Sequence, residues 1–263
     1  MQRTPELSIV VPAYNEEERI ARTLIELDRF LSEYGASYEI VVVDDGSTDG
    51  TVSLVGRMRR EMPALRCLAT RPNRGKGHAV RVGMLAARGE IRLMTDADGS
   101  TPAEEIPTLV EQIRAGTTDI AIGSRYTGDA SCERKQPFYR RWWSRLANRV
   151  VQATLVPGIR DTQCGFKAFS AEAAQRIFEL TRIDGWAFDL EALALASRLD
   201  LSVIELGVHW ADDPRSRISP LADALRVIRE LISIRLNLRR GVYGELRPAG
   251  ASLPVRLSGQ RSQ

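Results

Sequence analysis

Short apolar runs alternate with segments of helical periodicity through the first 125 residues, and this alternation most limits the fold. Apolar runs lie at 7–12, 39–43, 66–69, 91–95 and 119–123. Between the first two runs, apolar residues recur every three or four positions from Ile20 to Leu31. Continuous apolar strands that alternate with helices predict a mostly parallel sheet covered by helices on both faces. The sequence therefore predicts an α/β fold, with one domain over residues 1–246.

Capping signals set the expected helix ends. Asn15 is a candidate N-cap with acidic residues in the first turn, and Gly35 is the expected stop. Thr101 and Glu104 have the spacing of a capping box for the helix that runs to about residue 115. Beyond residue 125 we expect a basic helix over 138–156, a turn over 158–170 and helices near 171–180 and 186–199. A strand over 202–210, a helix over 221–239 and a disordered tail over 247–263 complete the prediction.

Polar signatures follow four of the predicted strands, at 12–16, 44–49, 96–98 and 123–125. Ligands of such sheets bind at the carboxyl ends of the strands. Asp96 and Asp98, one residue apart, can hold Mg²⁺ or Mn²⁺, which prefer hard oxygen ligands, although a turn followed by a helix cap is the plainer alternative. Asp44 and Asp45 can accept hydrogen bonds from a nucleobase N–H or from ribose hydroxyls, or can simply form a turn.

Other motifs exclude several classes of enzyme. The loop over 73–77 can bring Lys76 and backbone N–H groups near phosphates, but its glycine spacing is that of neither a P-loop nor a dinucleotide-binding fingerprint. The lone residues His78 and His209 have no partner at metal-ligand spacing and are interpreted as structural or incidental. No G-x-S-x-G motif supports a serine hydrolase. Three cysteines without paired spacing favour a reducing compartment.

Positive charge is concentrated in two segments. Residues 134–160 contain seven Lys or Arg and no acid, and residues 214–263 contain ten Arg and three acids, which leaves the remainder of the chain strongly acidic. Aromatic and apolar residues share the segment at 138–151 with arginines, and apolar positions recur with arginines over 221–239. Such mixtures suit an anionic membrane surface, although packing against the domain is the alternative. No apolar run approaches the roughly 18 residues that span a bilayer.

Seven motifs occur in order and together resemble one family. They are SIVVPAYNEEERI (8–20), VVVDDGSTDGT (41–51), NRGKGHAVRVGM (73–84), TDADGS (95–100), IGSRY (122–126), DTQCGFKAF (161–169) and GWAFDLE (185–191). The set resembles glycosyltransferase family 2, in its polyprenyl-phosphate sugar transferase branch, over about residues 7–240. The resemblance implies a GT-A fold, a UDP-sugar donor, Mg²⁺ or Mn²⁺ as cofactor and inversion at the anomeric carbon.

The resemblance also implies roles for individual residues. The implied metal ligands are Asp96 and Asp98. The implied catalytic set adds Arg125 and Arg217, which meet phosphate groups. The implied donor site comprises Pro12, Ala13, Tyr14, Glu16, Asp44, Asp45, Lys76, Asp96, Ala97 and Asp98. The implied acceptor site comprises Arg125, Arg141, Asp161, Asp189, Glu191 and Arg217.

The expected reaction moves a hexose, with glucose as the best guess, from a UDP-sugar to a polyprenyl phosphate of dolichyl or undecaprenyl type. Because a lipid phosphate is already ionised near neutral pH, its oxygen needs no general base. We expect a peripheral protein on the cytoplasmic face of a membrane, with segments 134–160 and 214–240 at its surface. A hydroxyl acceptor with a carboxylate base, and galactose or N-acetylhexosamine donors, stay open, as does a homo-oligomer. Nucleic-acid binding is not expected, since the arginines lie in no recognised binding motif.

Overall fold

A single large sheet organises the chain. The computed structural model describes residues 4–127, 132–133, 158–211, 220–244 and 255–257. Its strands are β1 (Leu7–Ala13), β2 (Tyr38–Asp44), β3 (Leu65–Ala69), β4 (Ile91–Met94), β5 (Ile120–Ser124), β6 (Cys132–Glu133), β7 (Lys167–Ser170), β8 (Val203–Gly207), β9 (Trp210–Ala211) and β10 (Val255–Leu257). Among these residues, eight strands form the sheet β10-β8-β5-β7-β4-β1-β2-β3, and β6 pairs with β9. Only β7 runs antiparallel to its sheet neighbours, which confirms the predicted α/β, GT-A-type fold.

Helices cover both faces of this sheet. They are α1 (Ile20–Tyr34), α2 (Thr51–Met58), α3 (Lys76–Ala86), α4 (Ile106–Arg114), α5 (Ala171–Phe178), α6 (Phe188–Arg198) and α7 (Pro220–Arg239). Successive residues of β1 enter different cores, because side chains of a strand alternate between faces: Ile9 and Val11 pack with α1 and α4, whereas Val10 packs with α3. The rigid two-sided core fixes the carboxyl ends of β1, β2 and β4, where the polar signatures lie.

Two predicted helix starts are wrong for local reasons. Asn15 does not cap α1: it has a positive φ of 55°, and its amide oxygen accepts a hydrogen bond from the N–H of Thr48 instead. The helix begins only at Ile20. Thr101 and Glu104 do not form a capping box, because a 3-10 helix at Ala103–Glu105 follows an uncapped Pro102. The predicted stop at Gly35 is confirmed by its left-handed conformation.

The carboxyl-terminal half departs more from the sequence prediction. The segment over 158–170, predicted as a turn, ends in β7, which pairs antiparallel with both β4 and β5. The strand predicted over 202–210 is divided into β8 and β9. Val255–Leu257 pairs with the open edge of β8, so disorder over 247–263 is wrong for these three residues. The predicted basic helix over 138–156 lies outside the described residues.

Candidate functional site

An open pocket lies beyond the carboxyl ends of β1 and β2. Its volume is about 600 Å³, and it is lined by Tyr14, Gly46, Ser47, Thr48, Arg71, Pro72 and Asn73. The ends of the two strands are joined by the N–H of Asp45, which donates to the carbonyl of Ala13 at 2.9 Å. Tyr14 presents 46% of its surface to solvent, which is unusual for a tyrosine directly after a buried strand. The pocket therefore combines an exposed aromatic ring with two buried carboxylates behind it.

One carboxylate oxygen of Asp44 is without a donor among the described residues. The side chain is only 1% exposed, and its Oδ2 accepts a hydrogen bond from the N–H of Ser47 at 3.1 Å. Within the part of the chain that the structure describes, Oδ1 is buried and has no hydrogen-bond partner. Because a buried polar atom without a partner is costly, this oxygen marks a position where a donor from a ligand would be stabilised.

Asp45 differs sharply from its neighbour, since both of its oxygens are occupied. Its Oδ2 accepts hydrogen bonds from the N–H groups of Arg74 and Gly75, at 3.0 and 2.6 Å. Its Oδ1 lies 3.2 Å from the hydroxyl of Thr70 and 3.3 Å from Nδ1 of His78. Asp45 thus holds the loop that precedes α3, and these contacts account for a carboxylate at this position without a nucleoside. They also give His78 the structural role that the sequence predicts.

Asp96 and Asp98 follow β4 and are each balanced by a cation of the same chain. Nζ of Lys76 lies 2.5 Å from Oδ1 of Asp96, and a guanidinium nitrogen of Arg19 lies 4.0 Å from Oδ2 of Asp98. Burial raises the pKa of the Asp96 carboxyl, but Lys76 outweighs burial, so this pKa lies below its usual range. The loop itself is tied to α1, because the hydroxyl of Thr23 donates to the carbonyl of Ala97 at 2.8 Å.

Gly165 shapes the pocket that receives the Asp96 carboxylate. A Cβ added at this glycine would collide with both carboxylate oxygens of Asp96. The glycine belongs to the segment before β7, which the antiparallel pairing brings beside β4. Gly165 lies in the DTQCGFKAF motif, but the sequence analysis gave it no role because the pairing of β7 with β4 was not predicted.

Lys167 and Asp189 form a buried ion pair beside this loop. Nζ of Lys167 donates to Oδ1 of Asp189 at 2.8 Å and to the carbonyl of Cys164 at 2.5 Å. Burial raises the pKa of the Asp189 carboxyl despite the nearby ammonium groups of Lys167 and Lys76. The sequence analysis assigned no role to Lys167. A lysine within an apolar strand does indicate a buried ion pair, because lysine is rarely fully buried without a partner.

Arg125 is held rigidly at the end of β5. Its guanidinium and Asp161 form a bidentate pair with distances of 2.7 and 2.8 Å, and its N–H donates to the same carboxylate at 2.9 Å. The guanidinium carbon also lies 5.9 Å from the ring centre of Tyr126 and 5.4 Å from that of Trp210. Burial disfavours both charges, but their hydrogen bonds raise the pKa of Arg125 and lower that of Asp161. Asp161 occupies the bidentate edge of this guanidinium, so a phosphate would be bound through the remaining N–H donors of the fork.

Two further predicted residues bond within the protein. Glu16 accepts hydrogen bonds from the guanidinium of Arg19 at 2.7 and 2.6 Å, which orients that arginine near Asp98. Glu191 is fully buried and accepts from the N–H groups of residues 182 and 183 and from the hydroxyl of Tyr243. These contacts explain Glu191 as an anchor for the 182–187 segment rather than as an acceptor ligand.

Pro12 pairs with Val43 in the sheet. Arg141 and Arg217 lie outside the described residues.

The 182–187 segment connects α7 with the loop before α3. Asp184 pairs with Arg74 at 2.9 Å and with Arg81 at 2.6 Å. On the other side, the N–H of Ala187 donates to Glu230 of α7 at 2.8 Å. Apolar residues complete this junction: Ile183, Ala187, Leu190 and Ile234, with Val227, Leu231 and Leu238 packed against them. The segment is therefore fixed at both flanks.

The opposite face of α7 is exposed and carries both apolar and basic residues. Ile228 and Ile232 are 51% and 54% exposed, and Leu236 extends the same stripe. Arg235 and Arg239, both exposed, lie along it. Among the described residues, no helix has both the length and the apolar character that spanning a bilayer requires. The side chains of the predicted stripe members Leu221 and Leu225 are not described.

A divalent cation fits the donor atoms at the end of β4. The carboxylates of Asp96 and Asp98 are hard oxygen ligands that lie on one short loop. Within the described ranges, no group of three or more His, Cys, Asp or Glu side chains could hold a metal. A cation here would therefore take only part of its coordination sphere from these side chains, as Mg²⁺ commonly does when it bridges to substrate phosphates.

In comparison with protein-family models, residues 8–178 match glycosyl transferase family 2. Among curated proteins, the chain is 37% identical over 248 residues to the dolichyl-phosphate beta-glucosyltransferase of Dictyostelium discoideum, which covers 90% of the chain and 76% of that protein. It is 39% identical over 250 residues to the enzyme of the same name from Drosophila melanogaster, with 90% and 77% covered. The Saccharomyces cerevisiae enzyme is 35% identical over 254 residues, with 90% and 76% covered.

Solved structures share the fold at lower identity. Glucosyl-3-phosphoglycerate synthase of Mycobacterium tuberculosis has a TM-score of 0.63 at 24% identity, and the match covers 88% of this chain and 80% of that one. A structure of the same enzyme in complex with Mn²⁺, UDP-glucose and phosphoglyceric acid has a TM-score of 0.65 at 22% identity, with 88% and 79% covered.

Proposed function

The chain belongs to glycosyl transferase family 2, and we propose that it transfers glucose from UDP-glucose to a polyprenyl phosphate of the dolichyl type. The observation that carries this proposal is the similarity to dolichyl-phosphate beta-glucosyltransferases, which spans about 90% of the chain. The geometry supports the same reaction, because a nucleoside-sized pocket, a pair of carboxylates and a fixed arginine meet at one edge of the sheet.

The uracil ring is proposed to lie in the open pocket beside Tyr14. Its imide N–H is a donor of the kind that Oδ1 of Asp44 lacks among the described residues. Asp45 acts indirectly, because it holds the loop of Arg71, Pro72 and Asn73 that forms the opposite wall. These different roles of Asp44 and Asp45 refine the prediction from sequence, in which both carboxylates bind the nucleoside.

The diphosphate is proposed to lie at the end of β4. Asp96 and Asp98 would hold Mg²⁺ or Mn²⁺, and a cation there would stabilise the negative charge that grows on the departing UDP. Lys76, 2.5 Å from Asp96, contributes a second positive charge beside the same carboxylates. Arg19 orients Asp98 from the other side.

Transfer needs one bond formed and one broken. A phosphate oxygen of the lipid attacks the anomeric carbon of glucose, and the bond from that carbon to the UDP oxygen breaks, with its electron pair leaving on UDP. Attack from the face opposite UDP inverts the anomeric centre. The lipid phosphate is ionised near neutral pH, so Asp189, buried against Lys167, is not needed as a base. We propose that Arg125, through the N–H donors that Asp161 leaves, and Arg217 bind the acceptor phosphate.

The acceptor lipid is proposed to reach the site from a membrane surface that α7 contacts. Ile228 and Ile232 would enter the interface, and Arg235 and Arg239 would meet anionic headgroups. The other proposed contact, the basic segment over 134–160, rests on sequence alone. We propose the cytoplasmic face of the membrane, where UDP-sugars are the donors, as the working location.

A panel of donors and acceptors tests the proposal. Purified protein is incubated with Mg²⁺ or Mn²⁺ and labelled UDP-glucose, UDP-galactose, UDP-N-acetylglucosamine or GDP-mannose, each with a short polyprenyl phosphate or with 3-phosphoglycerate. We expect lipid-linked label from UDP-glucose and polyprenyl phosphate. Transfer to 3-phosphoglycerate without transfer to the lipid phosphate would establish the alternative, a family 2 enzyme that uses a hydroxyl acceptor.

A further inference from the structure

Trp186 presents an aromatic face at the diphosphate end of the proposed donor site. The indole is 38% exposed, although it lies between buried residues of the 182–187 segment and α6. Nζ of Lys76 lies 5.3 Å from the centre of its ring, and the same nitrogen lies 2.5 Å from Oδ1 of Asp96. A single ammonium group thus lies between the indole and the carboxylate that would hold the metal ion beside the diphosphate.

The surroundings hold this indole in place. The next residue, Ala187, donates its N–H to Glu230 at 2.8 Å. Two residues earlier, Asp184 pairs with Arg74 and Arg81, and its carbonyl accepts the N–H of His78 at 3.2 Å. Contacts on both flanks restrict the backbone of residue 186, so the ring is part of a preformed surface rather than of a free loop.

We propose that Trp186 is the stacking platform for the transferred hexose and that it determines sugar selectivity. This inference rests on the proposed function. In a UDP-sugar, the sugar is attached directly beyond the diphosphate, and Lys76 links the indole to the loop that would hold this diphosphate. In α-linked UDP-glucose the bond to UDP is axial and the hydroxyls on C2, C3 and C4 are equatorial, so the ring face opposite UDP offers C–H groups to an aromatic surface. An axial hydroxyl, as in galactose, interrupts one side of that face.

A competing explanation assigns the indole only to Lys76. A cation over an indole face is attracted to it, and Trp186 would then only position the ammonium for the diphosphate. The two explanations differ in a measurable way. A platform for the hexose affects UDP-glucose and leaves UDP unaffected, whereas a support for Lys76 affects both ligands alike.

Calorimetric titration of the full chain with UDP and with UDP-glucose, each with Mn²⁺, separates these explanations. For Trp186→Ala we expect a loss of about fivefold in affinity for UDP-glucose and less than about twofold for UDP. Trp186→Phe retains an aromatic face and should restore most of the affinity for UDP-glucose. The wild-type preference for UDP-glucose over UDP-galactose should shrink in Trp186→Ala and persist in Trp186→Phe.

A second readout uses the conservative variant alone. In the wild type, UDP-glucose should change tryptophan fluorescence beyond the change that UDP causes, and Trp186→Phe should abolish this difference. Equal losses for UDP and UDP-glucose, an unchanged preference for UDP-glucose, or a fluorescence difference that persists in Trp186→Phe would each overturn the inference while leaving the proposed function intact. A wild-type protein that binds neither ligand would overturn both.

Discussion

Asp44→Asn should separate ligand binding from stability. The substitution keeps the shape of the side chain, and the amide oxygen can still accept the N–H of Ser47, which lies 3.1 Å from Oδ2 in the wild type. The amide nitrogen then replaces Oδ1, which finds no protein donor in the described part of the chain. The amide N–H₂ group of the variant would then face the imide N–H of uracil, and two donors cannot bond to each other. The hydrogen bond from uracil to the charged carboxylate, worth about 1.5–3 kcal/mol, is lost. We expect UDP affinity to fall by about 10- to 100-fold.

The same variant should keep or raise the melting temperature, because a neutral amide replaces a buried charged oxygen that has no partner among the described residues. Asp45→Asn is the matched control. Its carboxylate accepts N–H groups from Arg74 and Gly75, and weakening these charge-assisted bonds should cost about 1–3 kcal/mol and lower Tm by about 2–6 °C. Calorimetry with UDP and thermal unfolding measure both quantities. Wild-type UDP affinity in Asp44→Asn, or a larger loss of stability there than in Asp45→Asn, would refute the reasoning.

Three other perturbations address the metal loop and the membrane face. Asp98→Asn should remove most activity, at a cost of several kcal/mol in the transition state, with unchanged unfolding; a folded variant with near-normal turnover would reject a metal-binding role. Gly165→Ala should displace the Asp96 carboxylate, and therefore lower both turnover and Tm, whereas normal kinetics would show that the loop adapts freely. Joint substitution of Arg235 and Arg239 by Glu should release the protein from anionic liposomes at low salt. The double variant should also lose more activity on long-chain lipid phosphate than on a short soluble analogue. If the folded variant still sediments fully with the liposomes, the membrane proposal is contradicted.

Periodicity and strand-end chemistry predicted the sheet and the place of the site. The apolar runs of the first 125 residues became β1 to β5 with small shifts, and all of these strands except β3 at the sheet edge are mostly buried. The carboxylates after β2 and β4 were foreseen as ligand candidates, since parallel strands bring their carboxyl ends to one edge. Local turns were harder, and Asn15 adopted a left-handed conformation in place of the predicted cap.

Long-range contacts account for what the sequence did not predict. The antiparallel insertion of β7 between β4 and β5 places Gly165 and Lys167 beside Asp96, and nothing in the local pattern of 158–170 specifies that pairing. Asp45 differs from Asp44 because its carboxylate contacts groups that lie 25 to 33 residues away along the chain. Spacing alone treats these adjacent carboxylates as equivalent.

The stereochemistry of the lipid-linked product tests the central claim most directly. Wild-type protein is supplied with UDP-glucose, whose anomeric bond is α, a short polyprenyl phosphate and Mn²⁺, and the purified product is analysed by mass spectrometry and by NMR of the anomeric proton and the phosphorus. Direct attack by the phosphate oxygen predicts a single glucosyl phosphate with a β linkage and loss of the product when the cation is chelated. An α-linked product, glucose on a hydroxyl group, or hydrolysis of UDP-glucose without any lipid product would contradict the account.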